Sequence, residues 1–260
     1  MSAPPKKRFG QNFLHDASYR ERILTLLGAT AEDEILEIGP GQGALTHGLL
    51  QTGARIHAIE IDRDLVERLR QDPALARLDL LSGDALQLNL ASVADGRALR
   101  VIGNLPYNIS TPLLFHLFAQ RAWVRDMLFM LQEEVVERIV AAPATEAYGR
   151  LSVMAQLYCT AELVLRVPAG AFWPVPRVQS AVVRLIPRPQ PLVHPSCLAV
   201  FEDLVRTAFG QRRKMLRRSL KPAHAALLDI ADIDGARRPE TLALAEWVRL
   251  AEILGGCGLQ

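Results

Sequence analysis

The chain has 260 residues, of which half are hydrophobic, and its formal net charge is only +2. This length supports one sizeable core with at most a small second domain, and the near-neutral charge means that local charge must be considered instead. Three well-separated cysteines and six dispersed histidines predict no metal site. Because no apolar run approaches the roughly 18 residues of a membrane span, we expect no membrane partner and a cytoplasmic location.

The first half of the chain alternates short apolar runs with helical patterns. Strands are predicted at 34–38, 55–61, 78–81, 99–102 and 127–131, and helices at 44–51, 62–70 and 111–119. Asp62 is expected to cap its helix, because a short acidic side chain there can accept the free backbone amides. Strands separated by single helices form a parallel sheet with right-handed crossovers, so the fold class is α/β.

The pattern changes after the fifth strand. Residues 133–141 and 151–159 are predicted to be helical, and strands at 161–167 and 178–186 are predicted to complete the sheet as an antiparallel hairpin. The stiff segment 187–191 contains three prolines and cannot continue a helix or a central strand. We therefore predict two domains, residues 1–190 and a small all-helical domain of residues 191–260.

A glycine-rich loop, residues 39–43, follows the first strand and opens a helix. With Ala44 it fits the pattern G-x-G-x-x-A, and Glu60 ends the second strand, where a carboxylate can accept hydrogen bonds from a ribose diol. Asp84 follows the third strand and could accept a hydrogen bond from an adenine amine, although alone it could equally be a turn or helix cap. Together they predict a nucleoside-containing cofactor, either a nicotinamide dinucleotide or S-adenosylmethionine.

The tetrapeptide that follows the fourth strand separates these two cofactors. It reads Asn104-Leu105-Pro106-Tyr107. An exocyclic aromatic amine is a poor nucleophile, and the Asn104 side-chain oxygen and the Leu105 carbonyl can accept its hydrogen bonds and stabilise the positive charge that develops. Pro106 restricts the backbone, and Tyr107 offers a flat face for a base. The tetrapeptide therefore predicts methyl transfer to an aromatic amine; the alternative is an ordinary turn.

Seven segments carry a resemblance to a known family. They are 7–14, 37–41, 59–62, 103–112, 148–153, 172–178 and 180–183. In these segments the chain resembles the KsgA/RsmA family of 16S ribosomal RNA adenine dimethyltransferases, from about Lys6 to Leu220. The resemblance implies a Rossmann-like class I methyltransferase sheet, mostly parallel with an antiparallel hairpin strand, and a small all-helical C-terminal domain.

The resemblance also implies an activity and its site residues. It implies S-adenosylmethionine as the cofactor, S-adenosylhomocysteine as the product, no metal, and two methyl groups on each of two adjacent adenines near the 3′ end of 16S rRNA. The substrate would be the immature small ribosomal subunit and the enzyme a monomer. Phe172 would help to hold the target base opposite Tyr107. Apart from the resemblance, the basic residues 6–8 are expected to form an N-terminal flap over the site, with a disordered tail as an equal alternative. The implied cofactor-binding residues are Asn12, Leu14, Gly39, Gly41, Glu60, Ile61, Asp84, Ala85 and Asn104.

A basic segment at 206–221 contains no acidic residue, in a chain that is nearly neutral overall. Such segregation of charge favours contacts with RNA phosphates, although a solvated helix face is the alternative. The predicted RNA-binding residues are Arg206, Arg212, Arg213, Lys214, Arg217, Arg218 and Lys221.

Three other functions compete with the dimethyltransferase. A large-subunit rRNA adenine methyltransferase of the antibiotic-resistance type would share the fold, but such enzymes tend to have Ile in place of Leu105. A non-catalytic assembly or transcription factor could use the same fold, yet the intact tetrapeptide argues against it. A nicotinamide dehydrogenase would need a hydride-transfer acid or base, and none is evident at the strand ends.

Overall fold

The computed structural model describes residues 6, 11–106, 109–190 and 192–256. The strands within these residues are β1 (Phe13–Leu14), β2 (Glu34–Ile38), β3 (Arg55–Glu60), β4 (Asp79–Ser82), β5 (Leu99–Asn104), β6 (Val124–Gln132), β7 (Cys159–Val167), β8 (Phe172–Trp173) and β9 (Ser180–Pro187). Seven of them form one sheet in the order β4-β3-β2-β5-β6-β9-β7, and β1 pairs with β8 in a separate ladder.

The α-helices of the described residues occur between the strands and after the last strand in the chain. They are α1 (Ala17–Leu27), α2 (Thr46–Gln51), α3 (Arg63–Gln71), α4 (Ser110–Ala119), α5 (Glu133–Val140), α6 (Arg150–Tyr158), α7 (Leu198–Gly210), α8 (Leu216–Ser219), α9 (Pro222–Ala225) and α10 (Leu244–Gly255). None of the helices in the described residues is both long and apolar enough to cross a membrane.

The sheet reverses its winding direction between β2 and β5. From β2 the chain moves outward through β3 to β4, and it then returns to the other side of β2 with β5 and β6, all in parallel. β9 is antiparallel to β6 and neighbours β7 at the edge. The predicted mostly parallel sheet with an antiparallel strand is therefore confirmed, and the reversal creates a crevice at the carboxyl ends of β2 and β5.

The centre of the sheet is buried on both faces, as is typical of parallel strands covered by helices. All five residues of β2 are buried, including the carboxylate of Glu34, which lies 2.9 Å from His57 Nε2. In β5, a Cβ atom added to Gly103 would lie 2.5 Å from the carbonyl oxygen of Ile38. Glycine at 103 therefore permits the close approach of β5 to β2 beside the crevice.

Most predicted elements are present, with shifted ends and two additions. The cap at Asp62 is confirmed, since its carboxylate accepts the Asp64 amide at 3.1 Å. The helix predicted from Ala44 begins at Thr46, because the glycine loop continues through Gly43, whose φ is +81°. The sequence analysis missed α1, which Asp16 caps, and the two-residue ladder of β1 and β8.

Contacts between residues divide the chain into two compact units. The first consists of Met1–Val136 and Glu162–Pro187, and the second of Glu137–Ala161 and Arg188–Gln260. The break at 187 lies close to the predicted boundary at 190, but 137–161 belongs to the second unit. The physical reason lies in its side chains: the Tyr158 hydroxyl donates to Glu202 at 2.8 Å, and that of Tyr148 donates to the Leu242 carbonyl at 2.9 Å.

Candidate active site

A cavity of about 300 Å³ opens at the carboxyl ends of β2, β3 and β5, where the sheet reverses. Open α/β sheets bind their ligands at such crevices. All predicted cofactor-binding residues line it, together with Leu105 and Pro106 of the tetrapeptide. The structure thus brings together residues that are far apart in the sequence, such as Asn12 and Asn104, which are 92 positions apart. The wall also contains residues that the sequence analysis did not select, notably Gln11, Phe13, Glu37 and Gln42.

The glycine loop turns tightly between the cavity and the N-terminal segment. Gly41 has a φ of +61°, and a Cβ atom added to it would lie 3.2 Å from the ring of Phe13. The Gly41 amide donates to the Glu60 carboxylate at 3.1 Å. A side chain at position 41 would therefore strain the backbone and press on the ring, so glycine is required here for conformation and for space.

The Glu60 carboxylate is buried at the end of β3, with 5% of the residue exposed. It accepts the Asp62 amide at 2.9 Å as well as the amide of Gly41. Burial raises the pKa of Glu60, and these backbone amides oppose the rise because they favour the charged form. The carboxylate is thus held in place beside the cavity, where it can accept hydrogen bonds from hydroxyl groups of a ligand.

Glu37 is a second buried carboxylate in the cavity wall, and the sequence analysis did not assign it a role. It is 2% exposed, and Thr46 Oγ1 donates to it at 2.7 Å. Burial raises the pKa of Glu37 to about 7, and the nearby charge of Glu60 adds to the rise. Its position near the end of a buried strand, two residues before Gly39, is the sequence feature that could have indicated a place in the cavity wall. A cation bound in the cavity would favour its ionised form.

The segment before β1 is attached to the loop that follows β3. Lys6 Nζ lies 2.5 Å from Asp62 Oδ1 and 2.6 Å from Asp64 Oδ2, and Gln11 Nε2 donates to Asp62 Oδ2 at 3.1 Å. These contacts place Gln11 and the following residues against the cavity. Of the predicted flap, 6–8, Lys6 is part of this arrangement, while 7 and 8 lie outside the described residues.

Asn104 ends β5 at the rim of the cavity. Its Nδ2 donates to the Asn12 carbonyl at 2.9 Å, and no other described residue hydrogen-bonds to its side chain, so Oδ1 remains available as an acceptor. The Leu105 amide donates to the Met130 carbonyl of β6 at 3.1 Å, which fixes the peptide that Pro106 follows. The two acceptors predicted for the amine are therefore held by the sheet. Tyr107, the predicted stacking residue, lies outside the described residues.

Phe172, the residue predicted to hold the target base, is buried in β8. It has 0% exposure, packs in the hydrophobic core and is absent from the cavity wall. Successive side chains of a strand point to opposite faces, so in β8 Phe172 points inward and Trp173, which is 49% exposed, points outward. The ring of Phe172 therefore shows no exposed face in this structure, and its role in holding the target base stays a prediction.

The predicted RNA-binding residues fall into two groups, all within the second unit. Arg206 and Lys221 both pair with Asp203, the latter at 2.7 Å, and Arg212 is half-buried and donates to the Glu146 carbonyl at 2.7 Å. These three residues therefore make contacts inside the unit. The sequence of 206–221 did not indicate them, because the partners, Asp203 and Glu146, lie outside that segment. Among the seven predicted RNA-binding residues, the exposed cations with no acidic partner in the described part of the chain are Arg213, Lys214, Arg217 and Arg218.

Comparison with known proteins agrees with this site. The profile of the family described as ribosomal RNA adenine dimethylase matches residues 4–255. The chain belongs to this family. Among curated relatives, a ribosomal RNA small subunit methyltransferase A of Pseudomonas aeruginosa is 51% identical over 255 residues, which cover 96% of this chain and 94% of that protein. The corresponding protein of Pseudomonas fluorescens is 52% identical over 254 residues, with 96% and 93% covered.

Solved structures have the same fold as this dimethylase-family chain. A dimethyladenosine transferase from Plasmodium falciparum superposes with a TM-score of 0.80 at 23% identity, covering 94% of this chain and 98% of that one. The 23S rRNA methyltransferase ErmE superposes with a TM-score of 0.73 at 25% identity, covering 93% and 98%. The fold is therefore that of class I rRNA methyltransferases, as the resemblance implied.

Proposed function

We propose that this dimethylase-family chain transfers methyl groups from S-adenosylmethionine to the exocyclic amines of two adjacent adenines near the 3′ end of 16S rRNA. The observation that carries the proposal is Asn104, whose amide nitrogen is engaged by the Asn12 carbonyl while its oxygen stays available at the cavity rim. The two relatives from Pseudomonas, which share about half of their residues with this chain, are named as methyltransferases of small-subunit ribosomal RNA. The substrate is the immature small subunit, the enzyme is a monomer, and the reaction occurs in the cytoplasm.

The residues present fit S-adenosylmethionine. Its ribose diol needs acceptors, which Glu60 supplies, and its adenine amine can donate to Asp84, whose carboxylate is held by the Leu86 amide at 2.9 Å. Its positive charge is matched by the buried carboxylates of Glu37 and Glu60. When bound, the cofactor supplies a methyl group activated by its sulfonium. Asn12, Leu14, Gly39, Gly41, Ile61 and Ala85 complete the proposed binding wall.

The chain's own residues position and activate the adenine amine. Asn104 Oδ1 and the Leu105 carbonyl accept hydrogen bonds from the amine, which draws its lone pair out of the ring and stabilises the charge formed during attack. Pro106 limits the backbone so that both acceptors are aimed before the base arrives. We assign the face of the base to Tyr107. No strong base is required, because the proton can leave to water after the methyl transfer.

RNA affinity comes from phosphate contacts of the second unit. The exposed cations Arg213, Lys214, Arg217 and Arg218 are the primary candidates, because their charges are not already neutralised by a neighbouring carboxylate. Arg206, Arg212 and Lys221 remain in the proposed RNA-binding set, but part of their charge is used within the unit. Such contacts make binding dependent on salt.

The deciding experiment is methylation of defined ribosomal particles. The full chain is incubated with methyl-labelled S-adenosylmethionine and unmodified small subunits, and in parallel with large subunits; the RNA is then digested to nucleosides. We expect dimethyladenosine in 16S rRNA and none in 23S rRNA. Labelled large-subunit RNA alone would overturn the proposal in favour of the resistance-type enzyme. Calorimetry with S-adenosylhomocysteine and with NAD distinguishes a methyltransferase from a dehydrogenase. We expect S-adenosylhomocysteine to bind and NAD not to bind.

A further inference from the structure

The β1–β8 ladder places an exposed tryptophan next to the cavity. Phe13 is directly opposite Trp173, and Leu14 is directly opposite Phe172. Directly opposed residues of an antiparallel pair share one face, and the next pair occupies the other face. Leu14 and Phe172 are 5% and 0% exposed and form the inward face. The outward face therefore carries Phe13, which lines the cavity, and Trp173, which is 49% exposed.

The backbone that leads into Trp173 is fixed at Ala171. The Ala171 amide donates to the Pro168 carbonyl at 3.0 Å, and the Ala171 carbonyl accepts the His15 amide at 3.0 Å. The indole thus extends into solvent from a constrained ladder and does not fill space in the core. A large aromatic surface held in this way can stack on a flat partner at a small cost in conformational entropy.

Trp173 also lies close to the acceptors for the target amine. The Asn12 carbonyl accepts a hydrogen bond from Asn104 Nδ2 at 2.9 Å, and Asn12 directly precedes Phe13 in the chain. Standard backbone spacings then put the Cα of Trp173 at most about 9 Å from the Cα of Asn12. A base stacked on Trp173 would therefore neighbour the base whose amine contacts Asn104.

The chain segment that carries Trp173 has a net positive charge, which favours a polyanion as the partner of its indole ring. Residues 168–179 contain no acidic residue, and Arg177 is exposed four positions after Trp173. Single-stranded RNA is recognised by this combination of an aromatic platform and a nearby cation.

We propose that Trp173 is a stacking platform for an unpaired base of the substrate RNA adjacent to the target adenine. This proposal rests on the proposed function and adds a nucleotide-binding subsite outside the cofactor cavity. Removing such a platform weakens RNA binding by about tenfold. It leaves cofactor binding unchanged, because the indole is not part of the cavity wall.

The test compares Trp173→Ala with a matched control, Trp123→Ala. Trp123 is 39% exposed but directly precedes β6, at the amino ends of the parallel strands and thus on the edge of the sheet opposite the cavity. Methylation of small subunits is measured for both variants and for Trp173→Phe, and S-adenosylhomocysteine affinity is measured by calorimetry. We expect Trp173→Ala to raise KM about tenfold at unchanged cofactor affinity, Trp173→Phe to restore most of the loss, and Trp123→Ala to match the wild type.

Fluorescence gives an independent readout. In a Trp123→Phe background the remaining tryptophans are Trp173 and the fully buried Trp247, so quenching by an unpaired RNA fragment reports stacking on Trp173. The stacking proposal is overturned if Trp173→Ala keeps the wild-type KM, if it loses cofactor affinity as much as it loses RNA affinity, or if the RNA fragment causes no quenching. None of these outcomes affects the proposed function, provided that the wild type methylates the subunit. If the wild type forms no dimethyladenosine, the proposed function fails and the stacking proposal fails with it.

Discussion

Replacing Glu37 by glutamine should make the stability of the protein less sensitive to pH. Burial raises the pKa of Glu37 from an ordinary value of 4.5 to about 7. Keeping it ionised in the folded state therefore costs about 3 kcal/mol, at about 1.4 kcal/mol for each pKa unit. The folded state binds the proton more tightly than the unfolded state, so this contribution to stability is complete below pH 4.5 and is lost as the pH rises through about 7.

Glutamine keeps an acceptor for the Thr46 hydroxyl and carries no charge at any pH. Urea unfolding without cofactor at several values between pH 5 and pH 8 should show Glu37→Gln gaining about 2 kcal/mol over the wild type across that range. Taking the difference from the wild type cancels the other titrating groups. Glu67→Gln, at an exposed position of α3, is the matched control and should show no such trend. A pH-independent difference for Glu37→Gln, or one that grows toward acid, would refute the reasoning.

Three further outcomes follow from the site. Asn104→Ala should lower kcat by about 100-fold or more in the subunit methylation assay, while a pull-down still recovers the subunit; full activity would contradict its role as acceptor. Gly41→Ala should weaken S-adenosylhomocysteine binding about tenfold in calorimetry, because of the positive φ and the Phe13 ring. Replacing Arg213 and Lys214 by alanine should reduce the slope of log affinity against log salt by about 2, and an unchanged slope would exclude both from phosphate contact.

The sheet and part of the cavity wall could be predicted because their signals are local. Buried strands such as β6 contain short apolar runs, and the carboxyl ends of parallel strands meet at one edge of the sheet. Gly39, Glu60, Asp84 and Asn104 each lie at or just beyond the carboxyl end of a different strand, so chain order alone was enough to predict that they converge.

Properties that depend on long-range contacts were not predictable in the same way. The raised pKa of Glu37 results from burial beneath the rest of the fold and from its distance to Glu60, neither of which is encoded in the neighbouring residues. The pairing of Arg206 and Lys221 with one carboxylate, Asp203, depends on how α7 and the following turns pack within the second unit.

The sequence by itself determined the fold class, the family and part of the set of residues that line the cavity. Only the tertiary structure decided which aromatic residue of β8 faces solvent. A strand shows one face to the core and one to water, but its periodicity does not say which face is which until a partner strand sets the register. The pairing of β1 with β8 buries Phe172 and exposes Trp173.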